Sequence, residues 1–218
     1  MSLATYDDLQ AAILNWLARS QDDEDSVTDT LKDFITLAET RFNRELRVRE
    51  MIERVAAPID EAQESMPARF LEPVSAAVIL ATGAVRPLKY VTAHELNRGA
   101  RNAEGDPIQY TIIGGQILFG PKVTFDDTVP EDERPQIEIV GYFSQPALSD
   151  TIPSNDILKF YPNVYLYASL LEASAFITSD QTGDWAGLYE QAITQANETS
   201  QYTMDSVTRE PPPAYLVV

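Results

Sequence analysis

Leu9, Ala12, Ile13, Trp16 and Leu17 recur at the i, i+3, i+4, i+7, i+8 spacing of a helix with one buried stripe. Thr5 stands before them as an N-cap, and Asp7 and Asp8 fill the first turn, where the helix dipole favours carboxylates. This helix is expected to give out at Ser20, before an acidic, solvated connection over residues 21–26. A second helix is predicted from near Thr28 to about Leu46, with Leu31, Phe34, Ile35, Ala38, Phe42 and Leu46 as its stripe. Joined by a short connection, the two make a helical hairpin whose stripes need further cover.

After Leu46 the period changes. Residues 48–150 hold most of the 14 prolines and seven of the nine glycines, and their apolar runs are short. Ile52 to Ile59, Ala76 to Leu80 and Pro87 to Val91 have strand length. Thr92-Ala93-His94-Glu95 is a capping-box pattern that opens a short helix to about Asn102. The runs 109–113 and 116–119 flank Gly114-Gly115, a strong hairpin signal because primed turns require positive φ. Gln136 to Phe143 is one more strand.

Helix returns after Pro153. Ser154, Asn155 and Asp156 offer N-caps, and residues 157–161 make a turn or two before Pro162. From Asn163 to Ile177 the chain is apolar nearly all round, through Val164, Leu166, Ala168, Leu170, Leu171, Ala175 and Ile177, as in a helix buried on most sides. A last helix carries Trp185, Leu188, Tyr189, Ala192, Ile193 and Ala196 on one stripe and is expected to fade between Glu198 and Ser206. The predicted fold class is therefore α+β. Residues 1–47 and 151–207 form the two halves of a helical bundle, residues 48–150 an inserted small antiparallel β-domain, and residues 208–218 an extended C-terminal tail.

Composition sharpens the functional classes. Across 218 residues, 16 basic and 34 acidic side chains give a net charge of −18 and a pI near 4.3. Such a chain repels phosphates and fits poorly on an anionic membrane surface, which argues against sequence-independent DNA binding. From Gln136 to Thr208, nine acids face one base, Lys159. There is no cysteine and one histidine, which removes disulfide frameworks, thiolate sites and two-histidine metal motifs. The N-terminus has no basic, apolar leader pattern, and the longest apolar-looking run, Pro73 to Val85, falls short of a membrane span. The expectation is a soluble protein that is intracellular where it is made.

Catalytic and cofactor motifs are missing. Gly115 to Lys122 is the nearest approach to a phosphate loop, but its interior is apolar strand and Pro121 stands where the lysine should follow the glycine. His94 reads as a first-turn helix residue beside Glu95, and one histidine without a nucleophile is no catalytic set. The acidic clusters 22–25 and 126–133 lack calcium-loop spacing and read as solvated loops. Tyr161, Tyr165, Tyr167, Phe176, Trp185 and Tyr189, at helical spacing, read as core or subunit-interface residues. Catalytic, cofactor and metal residues are thus expected to be none. The tail is the informative feature. Pro211, Pro212 and Pro213 bar a return to helix, and Tyr215, Leu216, Val217 and Val218 are too apolar for a comfortable solvated end. Such a segment docks in a groove or adds a strand, on its own domain or on a partner.

Several stretches together point to a family. Residues 34–51 (FITLAETRFNRELRVREM) resemble the second helix of the head-to-tail adaptor proteins of tailed bacteriophages, and the hairpin 107–121 (PIQYTIIGGQILFGP) is similar to their β-domain. Pro146 to Ser149, Asn155 to Ala173 and the Trp185-x-x-x-Tyr189 helix continue the likeness in order, over roughly residues 5 to 200. The likeness does not extend to residues 21–26, 126–134 or the segment after Thr208. It implies a structural virion protein at the head-to-tail interface, with no enzymatic activity. Such proteins form a ring, commonly of about twelve copies, docked under the portal protein. There the ring extends the DNA channel and offers a platform to tail or nozzle proteins. Neighbouring copies are then partners, and DNA passes without specific binding. The resemblance further implies that Arg209, Pro211, Pro212, Pro213, Tyr215, Leu216, Val217 and Val218 form a portal-binding tail. The alternatives are an acidic DNA mimic that inhibits a host enzyme, a tail-completion protein elsewhere in the virion, and a virion-borne wall hydrolase with no residue set to nominate.

Overall fold

The computed structural model describes residues 3–17, 24–59, 63–99, 103–122, 130, 134–177 and 182–208. In chain order the elements are α1 (Tyr6–Trp16), α2 (Glu24–Glu45), a 3-10 turn (Arg49–Met51), β1 (Ile52–Pro58), β2 (Gln63–Ser65), β3 (Phe70–Ile79), β4 (Val85–Pro87), β5 (Lys89–Tyr90), α3 (Ala93–Arg98), β6 (Gln109–Ile113), β7 (Gln116–Gly120), β8 (Gln136–Phe143), α4 (Asp156–Phe160), α5 (Pro162–Ile177) and α6 (Thr182–Thr208). The fold is α+β. It divides into two compact units, one of Met1–Met51 with Gln145–Val218, the other of Ile52–Ser144.

The first unit is helical. Thr5 caps α1 reciprocally: its hydroxyl accepts from the Asp8 amide and the Asp8 carboxylate accepts from the Thr5 amide, each at 3.2 Å. Leu9, Ala12 and Ile13 are buried as the stripe requires, but Trp16 is 48% exposed. The helix ends at Trp16, and the indole leans edge-on against Tyr167 with ring centroids 6.0 Å apart, so it borders the core instead of entering it. All six expected residues of the second stripe, Leu31 to Leu46, are buried. Proline at the first position of α5 is compatible with helix because that N–H has no intrahelical acceptor. Between Val164 and Leu170 every side chain but Tyr167 is buried; farther along, Ala175 and Phe176 emerge, against the expectation of burial to the helix end. Helix α6 does not fade after Glu198 but runs to Thr208.

The second unit packs two four-stranded sheets, ordered β1-β8-β3-β4 and β2-β7-β6-β5. Their facing side chains form one core that includes Ile59, Val78, Tyr110, Ile117, Phe119, Ile137 and Ile139. The expected hairpin is present: β6 and β7 pair antiparallel across Gly114 and Gly115, at φ 60° and 79°. Pairing between named strands is antiparallel except that β5 runs parallel to β6. The crossover from β5 to β6 passes through α3, whose Thr92–Glu95 capping box forms as predicted.

Strand β3 is longer than its apolar run suggested, because it accommodates Pro73 in the middle. The register against β8 shifts between Phe70 and Glu72 and again between Pro73 and Ser75. Proline, which cannot donate to a ladder, is tolerated at such irregularities. Opposite it stands Gly141, where an added Cβ would meet the Glu72 carbonyl oxygen at 2.7 Å and the Phe70 ring at 2.9 Å. The backbones can approach this closely only over a glycine. Gly141→Ala should therefore destabilise the protein by roughly 1–3 kcal/mol, read as a lower urea midpoint, whereas Gly187→Ala, in an open helical position, should not destabilise it.

Candidate functional site

Within the helical unit, the polar groups that matter converge on a buried carboxylate. Glu39, on α2 and 8% exposed, accepts from the Leu148 amide at 2.8 Å and from the Tyr165 hydroxyl at 3.0 Å, both through Oε1. Asn155 completes the set: its amide nitrogen donates to the Tyr165 hydroxyl at 2.6 Å and to the Pro146 carbonyl at 2.9 Å, while its Oδ1 caps α4 by accepting from the Leu158 amide. Burial raises the Glu39 carboxyl above its ordinary range, and the two hydrogen bonds pull it part of the way back. Burial, then the Glu39 charge, holds the Tyr165 phenol well above the usual tyrosine range, so it stays a donor. This is a structural centre: both donors that reach the carboxylate come from the chain itself and meet it at Oε1.

A second seam secures the end of α2. The Arg47 amide donates to Asn197 Oδ1 and the Arg49 amide to Ser200 Oγ, each at 2.8 Å. The Arg47 guanidinium meanwhile caps the Asn43 and Leu46 carbonyls. Tyr161 donates to Glu50 at 3.0 Å, and Tyr189 to Glu45 at 2.9 Å. Burial and the Glu50 carboxylate push the Tyr161 phenol up to about 12. Burial raises the Glu50 carboxyl, but hydrogen bonds headed by the one from Arg49 outweigh it and leave the group lowered. Within the stretch read from sequence as fading helix, Ser200 serves the Arg49 amide, and Asn197 just ahead of it serves that of Arg47.

Two surfaces present apolar chemistry to solvent. On the helical unit, Leu37 of α2 and Phe176 of α5 are 51% and 70% exposed, with Phe176 tilted against buried Phe34 and the Arg41–Glu172 ion pair alongside. On the β unit, a cleft of about 480 Å³ opens between the first half of β3 and the β5–β6 edge. Tyr110 and Ile112 line it with Phe70, and Val74 and Tyr90, each more than half exposed, stand at its mouth.

The residues nominated from sequence are placed as follows. Of the six aromatics, Tyr165, Trp185 and Tyr189 are core, Tyr161 and Tyr167 are half-buried, and Phe176 is exposed. His94 is an exposed first-turn residue of α3. Among the described residues no group of three or more His, Asp or Glu side chains could hold a metal ion, and no helix is long and apolar enough to cross a membrane. The portal-tail residues Arg209, Pro211, Pro212, Pro213, Tyr215, Leu216, Val217 and Val218 lie outside the described residues, as do most of the acidic connections. The cleft escaped the sequence reading because Pro73 masked the strand that walls it. Glu39 escaped because it stands among ordinary polar helix residues, Thr36, Thr40 and Arg41, from which its spacing does not set it apart.

The Glu39 centre generates a test with a definite sign. A carboxyl raised on folding contributes stability that is present below its unfolded pKa and lost as pH rises through its folded value. Relative to Glu39→Gln, which keeps the acceptor and removes the charge, the wild type should gain stability as pH falls through that range, in paired urea titrations. Glu39→Leu leaves the Leu148 amide without its acceptor and should cost about 1–3 kcal/mol at neutral pH.

No curated protein matches this chain. Against protein families, residues 4–211 match the SU10 adaptor protein, a span that takes in both units and every described element. The chain, with its helical unit closed on Glu39 and its two-sheet β unit, belongs to the SU10 adaptor protein family.

Proposed function

We propose that the protein is a structural virion component, a head-to-tail adaptor. In this reading copies form a ring under the portal, with the N- and C-terminal helices bundled as its wall and the β unit inserted between them. The ring extends the DNA channel and gives the tail its docking platform. The family match over residues 4–211 carries the reading. The surfaces support it: an exposed apolar strip at Leu37 and Phe176 suits contact between copies, and a net charge of −18 suits a lumen through which DNA slides without adhering.

Anchoring falls to Arg209, Pro211–Pro213 and Tyr215–Val218. The prolines lower the cost of ordering the segment, and the apolar residues supply the buried area. Like-charged subunits must also overcome mutual repulsion, so ring growth is templated by the portal and strengthened by salt.

Native mass spectrometry of the protein mixed with the portal of the same genome should show the portal ring gaining a matching ring of these subunits. Deleting residues 209–218 should abolish the complex while leaving the circular dichroism unchanged. Absence of a complex across a salt series would move the protein elsewhere in the virion or to inhibition of a DNA-binding enzyme. Binding undiminished by the deletion would remove the tail as anchor.

A further inference from the structure

Helix α5 separates two apolar patches of the helical unit. Near its start Tyr167 meets Trp16 of α1, and near its end Phe176 meets Phe34 of α2. Tyr167 and Phe176 are about two and a half turns apart, so they leave α5 on opposite sides. One patch carries the exposed side chains of Leu37 and Phe176. In the other, Trp16 and Leu188 line an open pocket of about 560 Å³ together with Asp184. Charge distinguishes the two. Among the described cations of this unit, Lys32, Arg41 and Arg49 have carboxylate partners, Arg47 caps carbonyls and Lys159 lies over Phe160. Arg44 alone has no such partner among the described residues; it is exposed and lies about two turns along α2 from Leu37, on the same face. In the other patch Asp184 is exposed beside the half-exposed Trp16 indole and pairs with no described cation.

A carboxylate next to an aromatic face receives a guanidinium, which bonds the acid and lies on the ring. The occupant follows from complementarity within one sequence. The strip offers the guanidinium and apolar side chains; the pocket offers the carboxylate, the indole and Leu188. A second copy thus brings to the pocket what the first carries on its far side. A two-fold contact through either patch would instead set Arg44 against Arg44 or Asp184 against Asp184. Faces that differ and lie on opposite sides make a head-to-tail contact, which repeats from copy to copy and closes as a ring where the rotation allows. The strip is also a place where copies bearing −18 each repel little, because Arg41 and Glu172 neutralise one another beside it.

We infer that the Leu37–Phe176 strip of one copy docks on the Trp16–Leu188 pocket of the next, with Arg44 paired to Asp184. This deepens the adaptor reading, and rests on it for the closed ring, by naming the two faces that meet.

The chain has no cysteine, so introduced thiols report on this contact without background. Full-length Leu37→Cys and Leu188→Cys chains, alone, mixed, and combined in one chain, are treated with a short thiol-reactive cross-linker. Protein and salt concentrations are varied, with and without the portal. The mixed single variants should give a dimer and nothing larger, the combined variant a ladder of multimers, and each single variant alone only monomer. Arg44→Glu or Asp184→Lys, added to the combined variant, should cut the ladder roughly tenfold or more, and adding both should restore it. Dimers of a single variant alone, no mixed dimer under any condition, or a ladder indifferent to the charge changes would each overturn the docking. Portal capture separates the two readings. Capture of the wild type without mixed cross-links sinks the docking alone; mixed cross-links without capture leave the docking standing and sink the portal reading.

Discussion

The helical unit is organised around a buried carboxylate. Glu39 Oε1 receives the Leu148 amide and the Tyr165 hydroxyl together, and so ties α2 to α5 and to the non-helical stretch between β8 and α4. A buried carboxylate is costly unless donors surround it, which makes the arrangement specific: a slip of α2 past α5 would strand the charge as well as loosen packing. Asn155 extends the constraint, because the side chain that bonds Tyr165 also starts α4. Glu39 and Asn155 together thereby fix α2, α5 and the stretch before α4 relative to one another. Apolar stripes could slide by a turn and still bury similar area; this centre selects the register.

The seam at the end of α2 applies the same logic to a passage between structures. Where helix gives way to extended chain, amides lose their helical acceptors. Here α6 supplies replacements through Asn197 and Ser200, and the Arg47 guanidinium closes the carbonyl end. The segment leading toward the β unit is thus held as firmly as the helices. For a subunit whose proposed work is to sit in a ring and transmit load between partners, a stiff wall of this kind is more useful than a deep pocket.

Much of the fold was legible in the sequence because the relevant signals are local. The stripe from Leu31 to Leu46, the Gly114-Gly115 turn, the strand β8, the N-cap at Thr5 and the Thr92–Glu95 capping box each express a period or a short-range hydrogen bond. What escaped is what depends on a partner far along the chain. Pro73 argues against a strand until Gly141 is placed opposite it. Ser200 looks like fraying until the Arg49 amide is placed beside it. Trp16 and Phe176 satisfy a stripe by spacing, yet each lies at a helix end where the covering elements stop. The cleft of the β unit was invisible too, because it forms only when β3 and β6, from different sheets, are brought face to face.

The β unit begins and ends on neighbouring strands. Ile52 pairs with Tyr142, and Arg69, in the left-handed turn before β3, grips both margins by donating to the Glu53 carboxylate and to the Ser144 carbonyl. Directly opposed residues of an antiparallel pair stand only about 5 Å apart, so the two crossings into the helical unit start from almost the same point. A module joined in this way can be lost, enlarged or exchanged by recombination without pulling its host helices apart. The helical frame therefore asks only that the two ends of whatever it carries lie side by side.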